Sequence, residues 1–145
     1  MPAMLEVEGL HSFYGRAHIL HDVSFSVAAG AVLVLLGRNG AGKSTVLKSL
    51  IGLVRPARGL VRFAGQDVAG WAPQRIARAG IGYVPEDRRI FTDLTVLENL
   101  EVGRQPARQG RPAWTPEALF ALFPNLAEMR HRPGGQMSGG EQQML

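Results

Sequence analysis

Apolar and polar residues alternate along the first part of the chain, and longer apolar runs follow. Between residues 5 and 27 the alternation is most regular at Val23, Phe25 and Val27. Strands with one buried and one hydrated face have this pattern, so short antiparallel strands are predicted. The run at 31–36 is instead continuously apolar, which predicts a strand buried on both faces.

Further elements are predicted by turn and capping residues. Residues 60–64 form a predicted strand closed by a turn at 65–67, residues 73–79 a short helix that ends at Gly80, and residues 81–84 a buried strand stopped by Pro85. Helices are also predicted from residue 95 to about 103, through 118–123, and after Ser138. Their start signals are Thr95 with Glu98, Thr115 with Pro116, and Ser138 with Glu141.

A glycine-rich octapeptide follows the apolar run at 31–36. Its residues fit the pattern G-x-x-x-x-G-K-[ST] and are Gly37, Arg38, Asn39, Gly40, Ala41, Gly42, Lys43 and Ser44. After it, apolar residues recur at helical spacing as far as Gly52, at Val46, Leu47, Leu50 and Ile51. Strand, loop and helix therefore occur in the order that a phosphate-binding loop requires.

The residue types of the octapeptide suit nucleotide phosphates. Glycines let backbone N–H groups converge on phosphate oxygens, and the helix that follows directs its positive end at the same anion. We expect Lys43 to bridge the outer phosphates, the Ser44 hydroxyl to bind Mg2+, and Thr45 to belong to the same site. The prediction is a nucleotide-binding loop.

Composition excludes several classes of protein. The chain has 145 residues, 46% of them hydrophobic, and no cysteine. It is long enough for one globular domain, and disulfides and thiolate metal sites are excluded. No apolar run approaches the roughly 20 residues of a membrane helix, and the N-terminus lacks the order of a signal peptide.

The net charge of +4 does not by itself indicate nucleic acid. The arginines are scattered, and the dense stretch at 104–111 is interpreted as a solvated loop. A basic stripe with interleaved aromatic residues is missing, so we expect no nucleic-acid partner. The excess of basic over acidic residues suits an anionic ligand or a surface near lipid headgroups.

A second candidate anion site lies near the end of the chain. Ser138, Gly139, Gly140 and Glu141 combine capping-box spacing with two glycines at the start of a predicted helix, which leaves backbone amides exposed. Alone, such a cap is common and structural.

Together, the two motifs resemble the nucleotide-binding subunits of ATP-binding cassette (ABC) transporters, which carry a phosphate loop and an LSGGQ-like signature in this order. The resemblance implies an α/β fold with an N-terminal antiparallel β subdomain, a parallel core sheet and a helical signature subdomain. We expect residues 1–91 to form the first two parts and residues 92–145 the helical one. It also implies a head-to-tail dimer, in which Ser138, Gly139, Gly140 and Glu141 complete the ATP site of the partner, and it assigns Tyr14 to stacking on adenine.

A finer resemblance covers residues 80–91, 94–100 and 138–145. These segments are similar to the LivF-type ATPase of branched-chain amino acid importers. Most ABC ATPases carry glutamine where this chain has Glu86, and the resemblance implies that this residue reaches Mg2+ and the attacking water. Glutamate is familiar at this position in the LivF-type group. Arg88 and Arg89 then face either the transmembrane partner or solvent.

The sequence ends at Leu145, inside the predicted signature helix. The family places the Walker B strand, its carboxylates and the switch histidine after this point, and His11, His18, His21 and His131 show no metal or catalytic spacing. We therefore expect an N-terminal part of a longer ATPase. We expect Lys43 and Glu86 to contribute to a catalytic set that is incomplete in this chain. We also expect the apolar edge at 31–36 to make the chain unstable or aggregation-prone alone.

The leading hypothesis is an ATP- and Mg2+-binding subunit of a branched-chain amino acid importer. The resemblance implies a second ATPase subunit, identical or paralogous, and transmembrane permease subunits as partners. It also implies an indirect partnership with a periplasmic or extracellular solute-binding protein, and a cytoplasmic location at the membrane through the permease. The alternatives are a nucleotide-binding module without catalysis and a soluble ABC ATPase outside transport. A soluble ABC ATPase of this kind would need a long coiled-coil insertion, and the sequence between Ser44 and Ser138 is neither long enough nor heptad-patterned.

Overall fold

The computed structural model describes residues 3–107, 110 and 112–145. The chain divides into two compact units, Met1–Tyr83 and Val84–Leu145. Each unit has its own hydrophobic core. The division into functional subdomains at residues 91 and 92 remains a prediction.

The first unit is built on an antiparallel sheet. Its strands are β1 (Ala3–Tyr14), β2 (Ala17–Ala28), β3 (Arg58–Phe63) and β4 (Gln66–Asp67), in the order β2-β1-β3-β4. The pairing of β1 with β2 is antiparallel, which confirms the prediction from the alternating residues, although each strand has 12 residues where short strands were predicted. The other two pairings are also antiparallel. Val7, Leu10 and Leu20 carry the buried face of the first two strands.

Two helices complete the first unit. Helix α1 spans Lys43–Leu50 and helix α2 spans Pro73–Ala79. As predicted, α2 ends at Gly80, which takes a left-handed conformation. The core combines side chains of the sheet, both helices and the segment between them: Val7, Leu10, Leu20, Val46, Leu50, Val61, Val68 and Ile76. This core fixes α1, and with it the end of the phosphate loop, against the sheet.

Gly59 permits a close approach of β3 to β1. Its φ is +106°, and a Cβ there would lie 2.6 Å from the carbonyl oxygen of Gly9 and 2.7 Å from the Cα of Leu10. Such distances leave no room for any side chain. The contact lies where the pairing of β1 with β3 shifts, between Glu8 and His11.

Two strand predictions are wrong. Residues 31–36 and 81–84 are irregular, and no parallel pairing occurs among the described residues. A strand in a parallel sheet is stabilised only by hydrogen bonds to neighbouring strands and by cover on both faces. Those partners are not present among the described residues, and Val32, Val34 and Leu36 are 91%, 67% and 87% exposed.

The second unit is helical. Its helices are α3 (Val96–Gly103), α4 (Pro116–Leu122), α5 (Pro124–Glu128), a 3-10 helix at Gly134–Gln136, and α6 (Gly139–Met144). The three predicted N-caps, Thr95, Thr115 and Ser138, all accept a backbone N–H from the third helical residue. The core of this unit contains Val96, Phe120, Leu126 and Met137.

The helix predicted through residue 123 stops one residue earlier. Phe123 has φ −124° and ψ 78°, outside the helical region. Since Pro124 follows, the α conformation of Phe123 is disfavoured by its contact with the proline ring, and a new helix begins at the proline. The predicted loop at 104–111 lies partly outside the described residues.

We predict that the exposed run at 31–36 controls aggregation of the chain and contributes little to its stability. The double change Val34→Ser with Leu36→Ser should lower light scattering at high concentration. It should shift the free energy of unfolding by about 1 kcal/mol or less, because both side chains are already in water. The matched control Val61→Ser removes a core side chain that is 1% exposed and should cost about 2 kcal/mol or more. Unchanged scattering in the double variant would contradict the prediction.

Candidate nucleotide-binding site

The backbone of the predicted phosphate loop turns twice into the left-handed region. Gly40 has φ +83° and Gly42 has φ +96°, conformations that glycine adopts without steric cost. The amide of Ala41 donates to the carbonyl oxygen of Arg38 at 3.1 Å, and the amide of Val46 donates to Gly42 at 2.9 Å. The loop is therefore a tight turn that leads directly into the first turn of α1.

Gly42 is required for a second reason, its contact with the sheet. A Cβ at this position would lie 2.9 Å from Cδ2 of Leu20 and 3.6 Å from the side chain of Ile19. Gly42 is also the N-cap of α1 and makes no side-chain capping bond. The start of the helix thus packs directly on β2, and no side chain of the N-cap residue binds its first amides.

Lys43 folds over the loop. Its ammonium donates to the carbonyl oxygens of Gly37 at 2.8 Å and Arg38 at 2.9 Å. A lysine ammonium has three donors, so one remains for a ligand oxygen. The charge lies at the N-terminal end of α1, and the first turn of that helix carries no acidic residue. Both the ammonium and the helix dipole favour an anion here.

A buried hydroxyl pair ties α1 to the sheet. Oγ of Ser12 in β1 lies 2.8 Å from Oγ of Ser49 in α1, and both side chains are buried, as is Thr45. Thr45 was predicted to belong to the site, whereas Ser12 and Ser49 were not. A usable signal existed, because Ser12 continues the inward face of Leu10 and Ser49 follows Thr45 by one helical turn.

Tyr14 ends β1 at the hairpin. It pairs with Ala17 across a turn that contains Gly15, and its side chain is 48% exposed. An exposed aromatic ring at a strand end can offer a face to a planar group. Its predicted stacking on adenine remains a prediction.

The signature segment forms the predicted capping box. The amide of Ser138 donates to the carboxylate of Glu141 at 2.7 Å, and the amide of Glu141 donates to Oγ of Ser138 at 3.3 Å. The Ser138 hydroxyl therefore accepts from the Glu141 amide and also donates to the Glu141 carboxylate. Gly139 and Gly140 occupy the first two positions of α6, where helical amides have no partner within the helix.

The turn that carries Glu86 is strained and approaches the signature. Arg88 and Arg89 have φ of +63° and +56°, values that are rare for residues with a side chain. Nε of Arg89 lies 2.8 Å from the carboxylate of Asp87. Atoms of the Arg88 guanidinium lie 3.0–3.1 Å from the position that a Cβ on Gly139 would occupy. Glu86 is exposed, and its predicted role with Ser44 at Mg2+ remains a prediction because the two residues belong to different units.

The described residues contain neither a membrane-spanning helix nor a cluster of three metal-ligating side chains. In the described parts of the chain, no helix combines the length and apolar character that crossing a bilayer requires. Over the same residues, no three or more His, Cys, Asp or Glu side chains form a group that could hold a metal ion.

The turn at 37–42, the lysine over it and the helix that begins at its end define a nucleotide-binding protein of the phosphate-loop class. The family model described as ABC transporter matches residues 20–145. The chain belongs to the ABC transporter family, as its two motifs predicted.

Curated relatives include ATP-binding proteins of amino acid transport. The chain is 42% identical over 142 residues to the high-affinity branched-chain amino acid transport ATP-binding protein BraG of Pseudomonas aeruginosa, covering 98% of this chain and 61% of the relative. For the probable branched-chain amino acid transport ATP-binding protein LivF of Archaeoglobus fulgidus, the values are 34%, 98% and 60%. These matches confirm the LivF-type resemblance.

Other matches extend beyond amino acid transport. The Fe(3+) ions import ATP-binding protein FbpC 1 of Rhodococcus jostii is 37% identical, covering 100% of this chain and 41% of the relative. Among solved structures, MJ1267, an ATP-binding cassette of an ABC transporter, matches with a TM-score of 0.78 and 26% identity, covering 99% of this chain and 62% of that one. The α/β fold prediction is thereby confirmed. The chain spans about 60% of the length of its first two curated relatives.

The cap of the signature helix should depend on pH through Glu141. Hydrogen bonds from the backbone amide and then the hydroxyl of Ser138, with a smaller effect of Arg132, hold the pKa of the Glu141 carboxyl below its usual value of 4.5. A lowered carboxyl pKa stabilises the folded helix above about pH 4.5, and the stabilisation disappears as pH falls through the folded pKa. Glu141→Gln should therefore reduce hydrogen-exchange protection of the Gln142 amide at pH 6, with the difference from the unaltered chain vanishing at low pH.

The matched control for this experiment is Glu128→Gln, the same chemical change on α5. It should leave protection of the Gln142 amide unchanged at every pH. A constant difference between Glu141→Gln and the unaltered chain across the whole pH range would show that the charge of Glu141 does not stabilise the cap.

Proposed function

We propose that this chain binds MgATP and forms the ATP-binding part of a subunit that couples ATP hydrolysis to import of branched-chain amino acids. The observation that carries the binding proposal is the loop at the start of α1. There Gly42 packs on Leu20 and the Lys43 ammonium lies 2.8–2.9 Å from two loop carbonyls. The substrate class is supported by BraG at 42% identity and by the segment around Glu86.

Each loop residue has a distinct part in this proposal. The backbone N–H groups near Gly40 and Gly42 bind phosphate oxygens, and the remaining donor of the Lys43 ammonium binds an outer phosphate. Tyr14 stacks on the adenine ring. The Ser44 hydroxyl and the Glu86 carboxylate would hold Mg2+, both being the oxygen ligands that this ion prefers. When bound, the ion supplies charge neutralisation at the phosphates.

The signature segment acts on a second subunit in this proposal. The amides of Gly139 and Gly140 and the hydroxyl of Ser138 bind the nucleotide held by the partner. The Ser138–Glu141 cap keeps these groups in place. The assembled protein is a dimer of ATPase subunits on cytoplasmic surfaces of membrane permeases, and a solute-binding protein delivers the amino acid.

Changing Lys43 tests whether the loop binds nucleotide. The two lysines of the chain both lie in α1, at its first residue and in its last turn. Lys43→Ala should weaken binding of a fluorescent ATP analogue with Mg2+ by about tenfold to a hundredfold, the range expected for one charged hydrogen bond. The matched control Lys48→Ala should change binding by less than about twofold, because Lys48 lies away from the loop. Equal affinities of the two variants would overturn the binding proposal.

The proposed substrate class can be tested in the cell that encodes the chain. Inactivation of its gene should reduce uptake of radiolabelled leucine, isoleucine and valine, and a chromosomal Lys43→Ala change should have the same effect. Ferric iron uptake should be unchanged and is the control, because ferric import proteins are also relatives of this chain. Loss of iron uptake with normal leucine uptake would contradict the substrate class and leave the nucleotide site intact.

A further inference from the structure

Three histidines meet on the outer face of the β1–β2 hairpin, although sequence spacing gave no sign of a site. Nδ1 of His11 lies 3.1 Å from Nε2 of His18. The ring of His21 lies beside His18 with centroids 3.7 Å apart. His11 precedes Phe13 by two residues, and Phe13 pairs with His18 across the strands. The two linked histidines are therefore diagonal neighbours, a relation that only the strand register creates.

The distance between the two nitrogens suits a shared metal ion. Imidazole nitrogens bind Zn2+ at about 2.0–2.1 Å. Two nitrogens at that distance from one ion lie about 2.9 Å apart at a right angle and about 3.3 Å apart at a tetrahedral angle. The observed separation of 3.1 Å lies between these values. Copper and nickel favour the right angle, and zinc the tetrahedral one.

The His18 ring is held in position by its neighbours. Phe13 stacks on it with centroids 4.1 Å apart and an interplanar angle of 8°. Nε2 of His21 donates to the backbone carbonyl oxygen of His18 at 3.1 Å. A ring that is already packed loses less rotamer entropy when it binds. The site is thus largely formed before any ion arrives.

A cavity beside the pair leaves room for the remaining ligands of an ion. It has a volume of about 300 Å³ and is lined by His11, Phe13, His18, Ala57 and Arg58. The Arg58 guanidinium opposes a cation and attracts an anion. A bound ion would therefore take water or an anion such as chloride as a further ligand on the cavity side.

We propose that His11 and His18 form a two-imidazole site for a divalent transition-metal ion on the outer face of the sheet. The ion takes the place of the hydrogen bond between the rings. His11 then carries its proton on Nε2 and His18 on Nδ1, so both rings stay neutral and no proton is gained or lost. This site is independent of the nucleotide loop and of the proposed transport function.

The proposal is tested by calorimetric titration of the purified full chain, free of any histidine tag, with Cu2+, Ni2+ and Zn2+ chlorides. One ion per chain should bind, and Cu2+ should bind more tightly than either Ni2+ or Zn2+. His11→Ala and His18→Ala should each weaken binding by about tenfold or more. The matched control His131→Ala, which removes a histidine of the second unit, should bind like the unaltered chain.

A spectroscopic readout keeps the test valid if a variant unfolds. In the unaltered chain, the electron paramagnetic resonance spectrum of bound Cu2+ should show coupling to two imidazole nitrogens, and Ni2+ should broaden the ring signals of His11 and His18 first. Broadening centred on His131, or equal affinities of His11→Ala, His18→Ala and His131→Ala, would overturn the proposal.

Discussion

The packing of α1 on the β1–β2 pair is the interaction on which the phosphate loop depends. Leu20 fills the space that a side chain at position 42 would need, and the Ser12–Ser49 pair fixes the other end of the same helix. The loop between residues 37 and 42 is short, so its geometry follows from where the helix begins. A shift of α1 along the sheet would move every amide that faces a phosphate. The affinity of the site is thus decided partly by apolar contacts behind it.

Local signals in the sequence predicted five of the helices, but not α5 or the 3-10 helix at Gly134–Gln136. Thr95 and Ser138 predicted both capping boxes because a cap involves residues only three positions apart. The G-x-x-x-x-G-K-[ST] pattern likewise placed the loop and its lysine, since the residues that define it lie within eight consecutive positions. The antiparallel strands were also accessible, because a hairpin brings neighbouring segments of the chain together.

Features that depend on distant residues could not be predicted in this way. The run at 31–36 has the composition of a buried strand, but a strand of a parallel sheet exists only where partners supply hydrogen bonds and cover. The contact of Gly42 with Leu20 and the meeting of His11 with His18 both depend on strand register. Register is set by bulges and pairing shifts, which the pattern of apolar residues does not locate to single residues.

The placement of both lysines in α1 has a practical consequence for spectroscopy. Fourteen of the sixteen basic residues are arginines, so reductive methylation with isotope-labelled formaldehyde would mark only two side-chain amines along the chain, besides the terminal one. One amine stands at the first residue of the helix and the other in its last turn. Their resonances would report separately on the loop and on the far end of the helix. A chain with so few amines carries its own pair of reporters on the element that positions the loop.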